Sequence, residues 1–320
     1  MRHHYRREIS IALAGLLLGL ALAVVSPEYF SAENVTDLLL ANLPVLIVAL
    51  GMTLVILTGE IDISVGATFA ICAVVAGLLA KAGWPVALAA VGAAAAGAAI
   101  GSVNGALVAY ARIPSIVVTL ATMTALRDGL RWGTEGAWVQ DLPPSFQWLG
   151  LTQSTFPAMA TALTAALVAA CAWGLGHVAA GRAIYAIGSN IEAARLAGFD
   201  TRRIKWAVFA LLGALTGWAA VVNAVRFNQI PSNAGIGLEM KVIAAVVVGG
   251  AAISGGRGSA IGTLLGVALL GAIGPALTFL GVSAYWERAI QGAIILAAVG
   301  VDALNRHAHR RVARASATPA

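Results

Sequence analysis

Two carboxylates stand almost side by side in a chain that has very few charges. The segment TGEIDISVG, residues 58–66, carries Glu60 and Asp62 between two long apolar runs. A carboxylate that faces lipid at mid-depth costs about 2.5 to 3.5 kcal/mol on insertion scales. Such acids therefore need a helix break, a polar cavity or the membrane surface, and Gly59 and Gly66 permit a break. We expect either a hydrated turn in which Asp62 caps the next helix, or a gate; direct substrate contact is disfavoured.

No catalytic motif accompanies these acids. None of the three lysines, Lys81, Lys205 and Lys241, follows a glycine, so the phosphate loop GxxxxGK[ST] is absent. Neither HExxH nor GxSxG occurs, and the Cys and His residues lack metal-ligand spacing. Cys72 and Cys171 fall in apolar runs and are expected to be small buried residues. The chain is predicted to be no enzyme and to hold no metal or cofactor, so an ion gradient or another subunit would supply energy.

The composition is that of an integral membrane protein. Of 320 residues, 60% are hydrophobic and 11% are charged, and the mean hydropathy is +0.88. A soluble domain is about a quarter charged. The net charge of +6 does not indicate nucleic acid binding, because the positive residues lie mainly in short segments between or beyond apolar runs, as topology signals do.

Hydrophobic segments long enough to cross a bilayer recur along the chain and predict an all-α bundle of about ten spans. The whole chain, residues 1–320, is expected to form a single membrane domain. Its basic start resembles a signal peptide, but the length of the first run favours an uncleaved helix. The predicted spans are 9–25, 36–57, 63–80, 86–108, 113–127, 157–177, 204–225, 239–253, 259–281 and 286–303.

The distribution of Lys and Arg predicts the orientation of these spans. With the N-terminus inside, most positive residues fall in cytoplasmic segments, which places both termini in the cytoplasm. The connection 178–203 and the basic tail 304–320 are then cytoplasmic, and residues 58–66 lie at the cytoplasmic end of their spans. The tryptophan-rich connection 128–156 is extracytoplasmic and serves either as an interfacial anchor or as a docking surface for an external partner.

The cytoplasmic connection 178–203 contains the signals of a short amphipathic helix outside the membrane. Ser189 or Asn190 can cap it, Glu192 suits its positive N-terminal end, and Gly198 can end it. The helix is either a solvated part of a topogenic loop or a docking element for a cytoplasmic partner.

Few polar residues lie within the predicted spans. Glu239 and Lys241 stand at the outer start of a span, where snorkelling to the interface is the alternative to a functional role. Asn104 lies among GxxxG steps, which allow close helix packing, and is expected to form an interhelical hydrogen bond rather than a ligand contact. The pathway candidates are Asn104, Thr119, Asn223, Glu239 and Lys241, with Thr122 and Thr124 as further intramembrane polar residues.

A second segment repeats the pattern of residues 58–66. The sequence G-x-x-x-I-S-x-G occurs from Gly59 to Gly66 and again from Gly249 to Gly256. Transporters are often built from repeats whose broken helices meet at the binding pathway, although such matches arise easily among so many glycines. The gating or helix-break candidates are Gly59, Glu60, Asp62, Ser64, Gly66, Ser254, Gly255, Gly256 and Arg257.

Several stretches resemble one family of transport proteins. Glu192-Ala193-Ala194, followed after three residues by Gly198, resembles the EAA loop of ABC-importer permeases. TGEIDISVG resembles TGGIDLSVG of the sugar permeases of the ribose, xylose, rhamnose and autoinducer-2 type, with Glu60 in place of the usual glycine. Residues 113–123 and 237–266 match the same family, and the resemblance runs from about residue 36 to 303. The downstream part of the general EAA motif is missing, as is common in this subfamily.

The resemblance implies a permease subunit in the bacterial inner membrane. It further implies a second permease chain, identical or homologous, two cytoplasmic ATPases that bind ATP and Mg, and an extracytoplasmic sugar-binding protein. Glu192, Ala193, Ala194 and Gly198 would couple to the ATPase. A gradient-driven carrier or channel is the alternative, but it needs carboxylates at mid-membrane, and the acids here are predicted at span ends.

Overall fold

The computed structural model describes residues 2–283, 285–287, 289, 290, 292, 293 and 296. Within residues 2–279 the regular structure is helical, with short 3-10 turns at Pro27–Phe30 and Gln147–Gly150 and one isolated β-bridge. The helices are α1 (Arg2–Val25), α2 (Ala32–Leu57), α3 (Val65–Lys81), α4 (Val86–Ala109), α5 (Ser115–Thr134), α6 (Phe156–His177), α7 (Ala179–Ser189), α8 (Ile191–Leu196), α9 (Thr201–Ala224), α10 (Leu238–Val248) and α11 (Ala260–Phe279).

The helices follow the apolar runs of the sequence closely. Nine of the ten predicted spans coincide with a helix, and the tenth, 286–303, lies largely outside the described residues. Among the described residues, six helices are long and apolar enough to cross a membrane, namely α1, α2, α4, α6, α9 and α11, while the apolar α3 is shorter. The all-helical membrane bundle is confirmed for the described residues. Ten spans and cytoplasmic termini stay predictions, and the tail 304–320 also lies outside the described residues.

Two helices end five or more residues away from the end of the predicted span. The fifth predicted span ended at residue 127, whereas α5 continues to Thr134, because charged residues interrupt an apolar run without interrupting a helix. The eighth was predicted to end at residue 253, whereas α10 ends at Val248. Two consecutive glycines follow it, and Gly250 has a φ of 95°, which ends a helix readily.

Helix α2 forms the centre of the bundle. Its residues from Leu43 to Leu57 are almost completely buried, in contact with α9, α10, α11 and α6. A helix that is apolar on every face is stable only when other elements cover it. Residues 58–64 follow directly after its C-terminal end, and the loop 249–258 contacts that end. Both segments are therefore held against a rigid helix.

The closest helix pair, α4 and α9, packs through glycine. A Cβ atom on Gly97 would clash with the carbonyl oxygen of Gly213, and one on Gly101 would clash with that of Phe209. The GxxxG steps predicted to pack here do so, since small residues let the backbones touch. Gly15 and Gly19 form a further GxxxG step, but a Cβ on either would meet nothing within 4 Å, so these glycines contact no other helix among the described residues.

Substitution of Gly97 by valine is expected to destabilise the bundle. The added methyl groups meet the backbone of α9, and overpacking of this kind costs about 1 to 3 kcal/mol. Thermal unfolding of the purified protein in mild detergent should show a midpoint several degrees lower. Gly129→Val is the matched control, because Gly129 is an exposed helical glycine with open space around it. Equal midpoints for the two variants would contradict the packing.

The connection after α5 folds back onto the bundle. Val139 pairs with Ile230 in the isolated bridge, and the Trp148 N–H donates to the carbonyl oxygen of Val225 at 2.8 Å. Phe146 is buried, whereas Trp132 is 87% exposed. The connection is therefore folded against the bundle, while Trp132 at the end of α5 is exposed; a role as an interfacial anchor or a docking surface stays a prediction.

Candidate functional site

The predicted short helix outside the bundle is present as α8. The Asn190 Oδ1 accepts hydrogen bonds from the backbone N–H groups of Glu192, at 3.1 Å, and Ala193, at 3.0 Å. Asn190, rather than the alternative Ser189, is thus the cap. Gly198, two residues beyond the last helical residue, has a φ of 85°. A left-handed residue at this place ends a helix, and glycine adopts it without steric cost.

Helix α8 presents charged and large apolar side chains to its surroundings. Glu192 and Arg195 form an ion pair at 3.6 Å, and their side chains are 72% and 61% exposed. Leu196 is 90% exposed, whereas Ala194 is buried against the rest of the chain. The helix is therefore anchored by Ala194, and it exposes the acid, the arginine and the leucine together.

Helix α7, which the sequence analysis did not predict, connects α8 to the bundle. A Cβ atom on Gly188 would clash with the carbonyl oxygen of Leu57 and the backbone nitrogen of Gly256. The Gly256 N–H donates to the same Leu57 oxygen at 2.9 Å. A Cβ atom on Gly255 would likewise clash with the backbone nitrogen of Gly59, at 2.8 Å. We call Leu57, Gly59, Gly188, Gly255 and Gly256 the glycine junction. It joins the ends of α7 and α2 to the loop after α10. Side chains at the glycine positions would keep these three backbone segments apart.

A tyrosine reinforces the junction. The Tyr185 hydroxyl on α7 donates to the carbonyl oxygen of Gly258 at 2.7 Å. Burial, with smaller effects from Cys171 and Glu8, raises the pKa of the Tyr185 hydroxyl, so it stays a donor. Helix α7 is thus tied to the loop 249–258 by a side chain as well as by backbone contact.

Glu60 and Asp62 occupy different environments. The Lys205 Nζ on α9 pairs with Glu60 Oε1 at 2.5 Å, and both side chains are largely buried. Asp62 is 3% exposed, and its Oδ1 accepts from the Ser64 N–H at 2.8 Å and from the Ser64 hydroxyl at 2.6 Å. Asp62 is therefore buried rather than hydrated, although Gly59 in the same turn is exposed, and a gating role stays a prediction. Asp62 bonds the residue just before α3.

The segment 58–64 is also fixed to α4 and α5 by hydrogen bonds. The Asn104 Nδ2 donates to Ser64 Oγ at 2.9 Å and reaches Asp62 Oδ2 at 3.4 Å, while its Oδ1 accepts from the Thr122 hydroxyl at 2.7 Å. The Ile61 N–H donates to Ser115 Oγ at 3.3 Å. Asn104 makes the interhelical hydrogen bonds that its position predicts.

Asp62→Ala is expected to lower the thermal unfolding midpoint markedly, whereas Asp62→Asn should lower it little. Alanine leaves the Ser64 N–H and hydroxyl without their buried acceptor, and each such loss costs about 1 to 3 kcal/mol. Asparagine keeps an acceptor oxygen at the same place. An alanine variant as stable as the wild type in a detergent melting experiment would contradict this account.

The remaining candidates lie elsewhere. Glu239 faces Arg127 of α5, with 3.9 Å between Nη2 and Oε2. The Thr119 hydroxyl donates to its own helix at the Ser115 carbonyl oxygen, Lys241 and Asn223 are half-buried, and Ser254 and Arg257 are exposed. The described residues contain no group of three His, Cys, Asp or Glu that could hold a metal. Sequence reasoning did not assign roles to Leu57, Gly188, Lys205 or Arg127.

Comparison with known proteins assigns the class. Residues 34–299 match the family described as "Branched-chain amino acid transport system / permease component". The chain belongs to this family, and it is therefore a multi-pass membrane permease component of a transport system.

Relatives with a specific name are similar along most of the chain. The autoinducer 2 import system permease protein LsrC of Escherichia coli O157:H7 is 38% identical over 296 residues, covering 92% of this chain and 86% of the relative. The LsrC proteins of Shigella flexneri and Yersinia pestis strain Pestoides F are 37% and 36% identical over 305 residues, covering 95% of this chain and 89% and 87% of theirs. No solved structure matches.

Proposed function

We propose that the chain is the membrane-spanning subunit of an ATP-binding-cassette importer in a bacterial inner membrane. Its substrate is a monosaccharide or a related polyol of the autoinducer-2, rhamnose, ribose or xylose class. Two such chains, or this chain and a homologue, form the pathway. Two cytoplasmic ATPases bind ATP and Mg, and an extracytoplasmic binding protein delivers the substrate.

The observation that carries the proposal is helix α8 and its attachment. A capped six-residue helix exposes Glu192, Arg195 and Leu196 beside the bundle. These residues belong to the stretch Glu192–Gly198 that resembles the docking loop of ABC-importer permeases, and we assign their exposed face to the ATPase. Helix α7, which leads directly into α8, is in backbone contact through Gly188 with Leu57 and Gly256.

The same contacts suggest how ATP drives transport. When the ATPases close on ATP they move α8, and α7 transmits the movement to Leu57 and Gly256 because no flexible side chain lies between the backbones. The segments 58–64 and 249–258 then shift relative to each other. Since 58–64 is hydrogen-bonded to α4 and α5, these helices move with it and change the access of the pathway.

One observation favours a second candidate, a gradient-driven carrier. Asp62 is a buried carboxylate, and coupling ions in such carriers use intramembrane acids. The exposed face of α8 has no role in that mechanism, so the two candidates differ in the partner they require.

The test is purification of the tagged chain from its native membrane in mild detergent, with identification of the proteins that come with it. The proposal predicts a stoichiometric ATPase and a binding protein that binds one of autoinducer-2, L-rhamnose, D-ribose and D-xylose in preference to leucine, the comparison that the family description supplies. A stable and transport-competent chain without any ATPase would overturn it in favour of the carrier.

A further inference from the structure

The charge pair between α5 and α10 is incomplete. Arg127 Nη2 and Glu239 Oε2 are 3.9 Å apart, which is too long for a hydrogen bond. Both atoms are buried and neither has a hydrogen-bond partner within the described residues. The other carboxylate oxygen of Glu239 accepts only a 3.3 Å bond from the Gly237 N–H. Two opposite charges therefore face each other across a gap that no described residue fills.

The pair lies well away from the glycine junction and short of the end of α5. Ser115, at the start of α5, contacts Ile61 on the side of the glycine junction. Arg127 is twelve residues further along a helix of 20 residues, so it stands about 18 Å from that end of a helix about 30 Å long. Glu239 is in the first turn of α10, and the opposite end of α10 leads into the loop of the junction.

A hydroxyl group has the chemistry that the gap requires. It accepts a hydrogen bond from a guanidinium and donates one to a carboxylate, and bonds to charged groups are stronger than those between neutral groups. The Arg127 side chain is 22% exposed, so a ligand can approach the pair from that side. Polyols carry several hydroxyls and no charge of their own, which suits a site whose two charges already balance.

We infer that Arg127 and Glu239 bind a hydroxyl of the transported polyol midway along the pathway, a role that rests on the proposed function. Gly66 connects this site to the energy-coupling part of the molecule. A Cβ atom on Gly66 would clash with Glu239 Oε2 and with the carbonyl oxygen of Gly235. Gly59, at the other end of the same segment, belongs to the glycine junction. Movement of the junction therefore reaches the site through one continuous stretch of backbone and changes its grip on the hydroxyl.

The experiment is ATP-driven uptake into proteoliposomes that contain the complete complex with saturating binding protein. The probes are autoinducer-2, L-rhamnose, D-ribose, D-xylose and leucine, followed by the single-deoxy analogues of whichever polyol the wild type takes up. The variants are Glu239→Gln and Arg127→Gln. The controls, Arg131→Gln and Glu135→Gln, remove exposed charges from the same helix and its end. Thermal unfolding of each variant in detergent establishes that it is folded.

We expect Glu239→Gln and Arg127→Gln to slow uptake at least about tenfold while both controls stay near the wild type, because a bond to a charged group is lost. The wild type should take up one deoxy analogue more slowly than the parent polyol, by a similar factor. The two variants should take up that analogue and the parent polyol at nearly the same rate, since the contact to the missing hydroxyl is already lost. If the effect of the substitution and the effect of the missing hydroxyl multiply for every analogue, or if the variants transport normally, the hydroxyl site is wrong but the proposed function stands. If either variant does not fold, Glu239→Asp replaces it, because aspartate keeps the charge on a shorter side chain. Its uptake of the deoxy analogues is then compared with that of the wild type in the same way. Uptake of leucine alone would overturn the assignment to a hydroxyl, and no ATP-driven uptake by the wild type would overturn the proposed function.

Discussion

Glu192→Lys is expected to remove the ATPase from the purified complex and to abolish ATP-driven uptake. Glu192 occupies the first turn of α8, where a negative charge is favoured by the helix dipole, and its side chain is 72% exposed. Lysine reverses that charge, breaks the pair with Arg195 and presents the opposite sign to the partner. Reversal of an interface charge costs several kcal/mol, so at least a tenfold loss of bound ATPase should appear in copurification.

Glu135→Lys is the matched control for this charge reversal. Glu135 is exposed at the C-terminal end of α5, about 30 Å along that helix from the end that contacts residues 58–64. It should retain the ATPase and full uptake. An ATPase that stays bound to the Glu192→Lys protein with normal transport would mean that α8 is not the docking element.

Gly188→Ala is expected to stop uptake while the ATPase remains bound. The new methyl group clashes with the Leu57 carbonyl oxygen and the Gly256 nitrogen, both backbone atoms, so the three segments of the junction must separate. Overpacking against backbone costs about 1 to 3 kcal/mol, which corresponds to a loss of roughly tenfold or more in uptake if that contact transmits the movement. Helix α8 keeps its cap and its exposed face, so copurification should be unchanged.

Gly176→Ala provides the control for Gly188→Ala, since it adds the same methyl group to a nearby helical glycine that has open space around it. Its uptake should equal that of the wild type. If Gly188→Ala also transports normally, the glycine junction does not carry the coupling. If it loses the ATPase, α7 positions α8 rather than transmitting its movement.

Much of the fold follows from local patterns in the sequence. Long apolar runs fix where helices lie, because only a helix satisfies its own backbone in lipid. Helix α8 was predictable from Asn190 and Gly198, since a cap and a left-handed glycine are local signals. The contact between Gly97 and Gly213 joins two helices that each carry a GxxxG step, a local pattern that favours close helix packing.

The candidate site was less predictable because its contacts join distant parts of the chain. The sequence around Glu60 does not indicate that Lys205 neutralises its charge. This ion pair explains how an acid is tolerated at a position where the related sugar permeases usually have glycine. The burial of Asp62 depends on Asn104 and on helices that cover the segment. Gly188 carries no local signal of its role, since a side chain is excluded there only by the backbone of Leu57 and Gly256.

The central claim is that ATP drives transport through this chain. Its most direct test is uptake into proteoliposomes that contain the complex, with ATP supplied on the side of the membrane where α8 lies. Ionophores remove all ion gradients, and a nonhydrolysable ATP analogue serves as the comparison. The account predicts that uptake requires hydrolysable ATP and survives the ionophores. Uptake that proceeds without ATP and collapses with the gradient would contradict it, and would instead identify the chain as a gradient-driven carrier.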